Sequence, residues 1–450
     1  MPTLRELARQ LASGELTTRG LVDRCLSQIE QPDGEGSRAF VYVDAARTRL
    51  QADEMELQRR QGLASSPIAG MPISIKDLFD VAGQVTRAGS RVLGADGKTA
   101  EHDALPIANL RAAGAVFVGR TNMTEFAYSG VGLNPHYGTP ANPFDRKTRR
   151  IPGGSTSGGA VSVSDGMAAG AIGTDTGGSC RIPAALCGLV GFKPTAKRIS
   201  LAGCVPLAPS LDSVGCIGRS VDCVSRLDAV MARETAASIA PASLDGLRFV
   251  SAQSLVLDRI DDAVANSFQA ALDKLSAAGA KIADEKTPVF ARLPELADRG
   301  GLTAFESHKW HVDLIANGAS DYDPRVLSRI KMGAALTEGD HRRLLALRTE
   351  IIAQAALELD SYHAVIMPTV PIVAPPISAF SNDDFFADLN RLLLRNPSSA
   401  NLLDRCAISL PCHSPGTAPV GISLMMRAGG DRTLLAVAAG VEKVLSVTAD

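Results

Sequence analysis

Apolar positions near the amino terminus recur at helical spacing. In "TTRGLVDRCLSQIE" the residues Leu21, Val22, Cys25, Leu26 and Ile29 fall on one face of a 3.6-residue period, which predicts an amphipathic helix. Thr3 followed by Glu6 has the form of a capping box opening an earlier helix. With the charged run "DAARTRLQADEMELQRRQG", these segments predict an amino-terminal helical layer over residues 1–65. From "GMPISIKDLFDVAG" onward the texture changes: Ile73 to Lys76 reads as a short strand, "ALPIANLRAAGA" as a helix and "AVFVGRTN" as another strand. A second alternation follows, with "GLRFVSAQS" as strand, "DAVANSFQAALDKLSAAGA" as helix and "HAVIMPTVP" as buried strand. Alternation of this kind predicts an α/β fold with a mixed sheet core covered by helices on both faces.

The segment from about Pro140 to Ser220 is dense in Gly, Ser, Pro and Thr yet keeps apolar runs such as "AALCGLVGF". It reads as ordered loops around a site rather than a linker. No domain boundary shows in the pattern. The expectation is one large domain over 1–450, with a core at 66–220 and a remainder, 221–450, that completes the sheet and the substrate pocket.

Composition narrows the classes of function. With 45% hydrophobic and 21% charged residues the chain is globular, and a formal net charge of -2 with evenly mixed signs leaves no basic face for nucleic acid. The longest informative uncharged run, Ser361 to Asn382, contains four prolines that would break a membrane helix, so no transmembrane segment is expected. "MPTLRELARQLASGEL" carries charges where a secretory signal needs an unbroken apolar stretch. Eight cysteines occur without a CxxC pair, which points to reduced thiols in a cytoplasmic protein. A homo-oligomer is left open.

Several chemistries are excluded residue by residue. No GxxxxGK[ST] occurs, and in "SGVGLNPHYG" Pro135 sits where a dinucleotide motif needs its third Gly. "GGSTSGG" misses the GxSxG elbow because Thr156 holds the central position. His136 reads as a loop hydrogen-bonder, and His308 with His311, three apart, as a solvated helix face rather than a metal pair. What remains is Ser with Lys: a weakly nucleophilic hydroxyl needs a base, and a Lys pushed toward its neutral form can be one. Lys76 closes the alternation Ile73, Ser74, Ile75, so it is either the end of a buried strand or a surface cap beside Asp77. Phe380, Phe385 and Phe386, around "SNDD", are either a mobile lid or a loop covering the core.

Three stretches resemble, in order and spacing, the motifs of the amidase signature family: "GMPISIKDLFDVAG", "GRTNMTEFAYSGVGLNPHYGTPANP" and "PGGSTSGGAVSVSDGMAAGAIGTDTGGSCRIPAALCGLVGFKPT". The resemblance covers most of the chain and includes the 24-residue separation between Ser155 and Ser179. It implies that Ser179 is the acylated nucleophile, Ser155 the bridging serine after a cis peptide bond, and Lys76 the base. It further implies that Thr176, Gly177, Gly178 and Ser179 turn backbone N–H groups toward the developing oxyanion, donors typically worth roughly 3–4 kcal/mol each. Gly154, Thr156, Asp175 and Arg181 then read as supports of the loops, and Met123, Tyr128 and Ser129 align with the segment that lines family pockets. No metal or organic cofactor is required by this chemistry.

Family members hydrolyse carboxamides, aryl acylamides, carbamates and urea-like compounds, and one branch is the glutaminase subunit of the tRNA-dependent amidotransferase. The chain departs from that branch at "PSLDSVGC", where Ser213 replaces the usual Gln, and at "NLLDRCAISLPCH". Thr156, Cys180 and Lys197 depart from residues common in the family, the last from a Gly. The expected activity is therefore that of a stand-alone amidase acting on a small-molecule amide. Two alternatives stand beside it. One is the glutaminase component of an amidotransferase; the other is a silent protein retaining the fold, which would be expected to lose one of Lys76, Ser155 and Ser179.

Overall fold

The computed structural model describes residues 1–64, 66–235 and 238–446. Among them, strands β1 (Phe40–Tyr42), β2 (Pro72–Lys76), β3 (Val116–Thr121), β4 (Gly170–Asp175), β5 (Val190–Lys193), β6 (Ser213–Gly218), β7 (Arg248–Ala252), β8 (Lys281–Glu285), β9 (Ala364–Pro368), β10 (Cys406–Pro411) and β11 (Gly421–Met426) form one sheet. The order across it is β1-β3-β2-β4-β6-β5-β10-β11-β9-β7-β8. β2 runs parallel to both β3 and β4, and β7 parallel to both β8 and β9; the strands between these wings pair antiparallel. The sheet is therefore mixed, as the alternation predicts.

Helices cover both faces, and the period-2 geometry of the strands shows how. Ala171 and Ile172 are neighbours on β4 and must point to opposite faces. Ala171 joins Ala160, Ala184 and Ile217 beneath the helices Ser157–Ser164 and Arg181–Leu186. Ile172 joins Leu110, Cys216, Val224 and Leu227 beneath the helices Leu105–Ala112 and Val221–Met231. Strands buried on both faces read as continuous apolar runs, and β2, β4, β6, β9 and β11 are buried at every position. The edges are a three-residue strand, β1, and the charged β8, forms that discourage pairing with another chain.

The predicted amino-terminal elements form. The helix Leu4–Ala12 opens with the Thr3–Glu6 capping box, and the helix Thr18–Ile29 buries Val22, Cys25, Leu26 and Ile29 in one cluster with Val116 and Val118 of β3 and Leu21 in the main core. The region from Pro140 to Ser220 departs from the loop reading, for it contains two helices and the strands β4, β5 and β6. Its small residues serve close approach. A Cβ on Gly158 would lie 2.2 Å from the carbonyl oxygen of Ala39, and one on Gly173 would lie 2.7 Å from Thr156 Oγ1.

His311 also departs from expectation. It lies fully buried in the helix Gly301–Gly318, with Nδ1 2.8 Å from the Tyr322 hydroxyl and its ring edge-on to Phe126, and burial pulls its pKa down to about 3. Packing against Phe126 and Tyr322, which the helix's own spacing does not reveal, removes it from solvent. His136 does bond within its loop, with Nε2 2.9 Å from Glu125 Oε1. The Phe380–Phe386 stretch is a turn followed by the helix Asp383–Arg395, capped by Asn382. Phe380 and Phe386 are core residues beside Val131, Ile182 and Leu393, while Phe385 is exposed. All eight cysteines are free thiols, and among the described residues no helix is long and apolar enough to cross a membrane.

The glycine contacts make a direct prediction. Gly158→Ala forces a methyl group into backbone atoms of Ala39 and Asn122 and should lower unfolding free energy by about 1–3 kcal/mol in urea titrations. Gly339→Ala, in the first turn of the helix Glu338–Leu359, meets nothing closer than Thr337 Oγ1 at 3.5 Å and should be neutral or stabilising. Equal effects for the two substitutions would contradict the close approach.

Candidate active site

The site lies where the parallel strands β2 and β4 end side by side. Their register pairs Ile75 with Ile172, so Lys76, the last residue of β2, reaches across to Thr174 near the end of β4. Lys76 is fully buried, which excludes the surface-cap reading. Its Nζ donates to Ser155 Oγ at 2.8 Å, Thr174 Oγ1 at 3.1 Å and the Thr174 carbonyl oxygen at 3.5 Å. No carboxylate bonds it among the described residues. Burial therefore dominates and pulls the Lys76 pKa down to about 8, although Cys180, Asp175 and Asp212 act in the opposite sense.

Ser155 is positioned by its backbone. The Gly154–Ser155 peptide bond is cis, as the resemblance implies. The Gly154 N–H donates to the Gly130 carbonyl at 2.8 Å, and the Ser155 carbonyl accepts from the Thr124 N–H at 3.1 Å. A side chain at position 154 would lie 2.7 Å from both Gly132 N and Thr124 Oγ1, so only glycine fits there. The next residue joins the two Ser loops: the Thr156 N–H donates to the Ser179 carbonyl at 3.2 Å.

Ser179 sits in the turn between β4 and the helix Arg181–Leu186 and is 3% exposed. Asp175 organises this turn. Its carboxylate accepts from the N–H groups of Gly178 at 2.9 Å and Cys180 at 3.2 Å, one on each side of Ser179, and from Arg181 at 2.8 and 3.0 Å. Burial opposes the Asp175 charge, but the Arg181 guanidinium outweighs it and holds the carboxyl at about 2. The Gly178 N–H thus faces Asp175, a departure from the four-donor expectation. The N–H groups of Thr176, Gly177 and Ser179 meet no acceptor among the described residues. Gly178 has φ 119°, and a Cβ there would strike Pro397. The Thr176 hydroxyl is anchored at 2.5 Å on Asp212, which also accepts from the Leu207 and Ala208 N–H groups.

The remaining expected residues divide. Thr156 is buried against Gly173 and Cys180 as part of the loop support. Tyr128 and Ser129 lie in the backbone that leads to Gly130: the Tyr128 carbonyl accepts from Arg329 at 3.0 Å, and the Ser129 hydroxyl donates to Asn390 at 3.0 Å. Met123 is fully buried in the main core, to which Tyr128 also belongs, and its carbonyl accepts from Asn134. Lys197, where the family commonly has Gly, has φ 66°, a conformation that explains that preference. Sequence reasoning missed Thr174, Lys193, Asp212 and Asn401. Lys193, buried on β5, donates to the Pro194 carbonyl and Ser213 Oγ, and burial pulls its pKa to about 8 as well. Only Asp212 carried a local signal, its place in "PSLDSVGC"; the others converge through strand pairing and chain reversal. Two hydroxyls and a carbonyl oxygen accept from Lys76, and among the described residues no three His, Cys, Asp or Glu side chains gather as metal ligands.

Comparison with known proteins places this geometry. Residues 21–435 match the Amidase family profile. The chain is 32% identical to a 2-amino-5-chloromuconic acid deaminase of Comamonas testosteroni, over 98% of this chain and 96% of that protein. It is also 32% identical to a glutamyl-tRNA(Gln) amidotransferase subunit of Symbiobacterium thermophilum, over 99% and 97% respectively. A crystal structure of an amidase superposes with a TM-score of 0.88 at 30% identity, covering 98% of this chain and 99% of the other. A profile match over nearly the whole chain, carried by the same large α/β fold, makes this protein a member of the amidase signature family, hydrolases of carbon–nitrogen amide bonds.

Proposed function

We propose that the chain is a stand-alone amidase that hydrolyses a small-molecule amide through an acyl-enzyme on Ser179. The observation that carries this reading is the 2.8 Å contact between the fully buried Lys76 Nζ and Ser155 Oγ. A buried lysine held only by hydroxyls and a carbonyl loses its proton far more readily than one on the surface. In the free-base form its lone pair takes the Ser155 proton while Ser155 Oγ takes the proton of Ser179. The Ser179 oxygen then attacks the amide carbon, and the N–H groups of Thr176, Gly177 and Ser179 receive the oxyanion. The relay returns a proton to the leaving nitrogen, the C–N bond breaks, and water attacks the ester by the same path.

Several features support the finer parts of the reading. Ser213 in place of the Gln usual in the amidotransferase branch favours an enzyme working without such a partner. The net charge of -2 suits a small substrate better than nucleic acid, and eight free thiols suit the cytoplasm. The amidotransferase reading keeps one observation in its favour, the 32% identity to that Symbiobacterium protein over 99% of the chain. A hydrolysis panel of anilides, primary amides, carbamates, an aminomuconic acid and glutamine separates the two. Ammonia from glutamine with a co-purifying partner supports the amidotransferase component; turnover of the others by the chain alone supports the amidase.

In that panel Ser179→Ala should lose at least about a thousandfold in kcat for every substrate while unfolding at the wild-type temperature. An acylating probe whose label maps to any residue but Ser179 would overturn the assignment. The lysine makes a separate prediction with a defined sign. Because the deprotonated form acts, kcat/KM should rise with pH through about 8 and level off above it. Lys76→Ala should cost about 10²–10⁴-fold and flatten the profile, and an unchanged profile would remove Lys76 from the mechanism.

A further inference from the structure

Asn401 lies far from the Ser loops in sequence, within the "NLLDRCAISLPCH" stretch, on the short helix Ser398–Leu402. It is 2% exposed and every polar atom of its side chain is engaged. Nδ2 donates to the Asp175 carbonyl at 2.8 Å, to Asp175 Oδ1 at 3.1 Å and to the Leu211 carbonyl at 3.3 Å. Oδ1 accepts from Arg181 Nη2 at 2.8 Å. The nitrogen faces acceptors alone and the oxygen a donor alone, so the amide has one workable orientation. An aspartate of the same shape would keep the Arg181 contact, lose both N–H donors and set a second carboxylate against Asp175.

We infer that Asn401 is a positioning residue for the oxyanion turn, acting through Asp175. The Asp175 carbonyl is the last on β4, directly before Thr176, and its carboxylate holds Gly178 and Cys180 on either side of Ser179. Asn401 grips both ends of Asp175, its backbone oxygen and its side chain, and thereby fixes where the turn leaves the strand. Its own helix is tied down in turn: Arg348 donates to the Asn401 carbonyl at 2.9 Å, the Leu402 carbonyl at 2.9 Å and the Ser210 carbonyl at 3.2 Å. The Ser210–Leu211 segment precedes Asp212, which anchors Thr176. The carboxyl-terminal part of the chain therefore sets the donor geometry of a turn that the signature stretch supplies. Ground-state binding needs that geometry less than the transition state does, so the effect belongs in kcat.

The inference rests on Ser179 as nucleophile, and its test separates the two. Asn401→Asp and Asn401→Ala are assayed on the fastest substrate of the panel, with inhibition by phenylboronic acid, which forms a tetrahedral adduct on a reactive serine. The expected result is a fall in kcat of about 10- to 100-fold with KM within about threefold, and a parallel rise in the boronate inhibition constant. For Asn401→Ala the pH at half-maximal kcat/KM should stay that of wild type, since Lys76 makes no hydrogen bond to Asn401, whereas the carboxylate added by Asn401→Asp beside Asp175 should move it upward. A merely structural role would lower the melting temperature and leave kcat and boronate affinity per folded molecule unchanged, which would overturn the inference. Should the Asn401 variants not fold, Arg348→Gln, which loosens the same helix without touching Asp175, must show the same paired loss, and its absence overturns the inference equally. A wild-type protein that phenylboronic acid does not inhibit and that the acylating probe labels elsewhere than at Ser179 would instead remove the nucleophile assignment.

Discussion

The burial of the Lys76 ammonium at the end of β2 is the constraint around which the rest of the site is arranged. Taking such a group out of water costs several kcal/mol unless hydrogen bonds and charges replace the lost solvation. Here the replacement is partial: Ser155 and Thr174 supply the hydrogen bonds, while Asp175 and Asp212 act only at a distance. A direct carboxylate partner would stabilise the charged form and keep the proton on the lysine. Hydroxyl partners leave it close to giving the proton up, and a pKa of about 8 is the outcome of that balance.

The second requirement is that the groups around the lysine stay where they are. The Asp175–Arg181 pair is buried completely on both sides, an arrangement favoured when other polar groups replace the lost water. The Gly178 and Cys180 N–H groups and Asn401 engage the carboxylate and Arg181 Nη2, while Arg181 Nη1 has no partner among the described residues; these contacts make the pair a brace for the Ser179 turn. The glycines complete this rigidity by allowing close approach: Gly154 against the Gly132 backbone, Gly178 against the Pro397 ring and Gly173 against the Thr156 side chain. Preorganised donors in a dry setting are the physical basis of oxyanion stabilisation.

Particular elements show where the sequence is readable. The helix Thr18–Ile29 is legible because a stripe of five apolar residues at helical spacing has one stable solution, burial against something flat. β2 is legible as a strand, but its last residue has two readings, because spacing along one strand does not reveal neighbours. The pairing of β2 with β3 on one side and β4 on the other is what buries Lys76. His311 fails for the same reason in reverse: charges nearby in sequence suggest solvent, and Phe126 and Tyr322 exclude it. The Pro140–Ser220 stretch looks like loops because small residues carry little periodic signal, even where they form strands that other backbones approach closely.

The amino-acid sequence by itself determined the fold class and the elements with a clear period, because periodicity is a property of a line, and its resemblance to the amidase signature motifs is what singled out Lys76, Ser155 and Ser179 for the proposed chemistry. The tertiary structure alone decided that Lys76 is dry, that Gly178 turns its N–H to Asp175, that Met123 belongs to the core, and that Asn401 closes the brace from 226 residues away. Those outcomes depend on which strands become neighbours and which side chains meet across them. Strand pairing is a long-range choice, settled by the burial of the whole sheet rather than by any stretch of it.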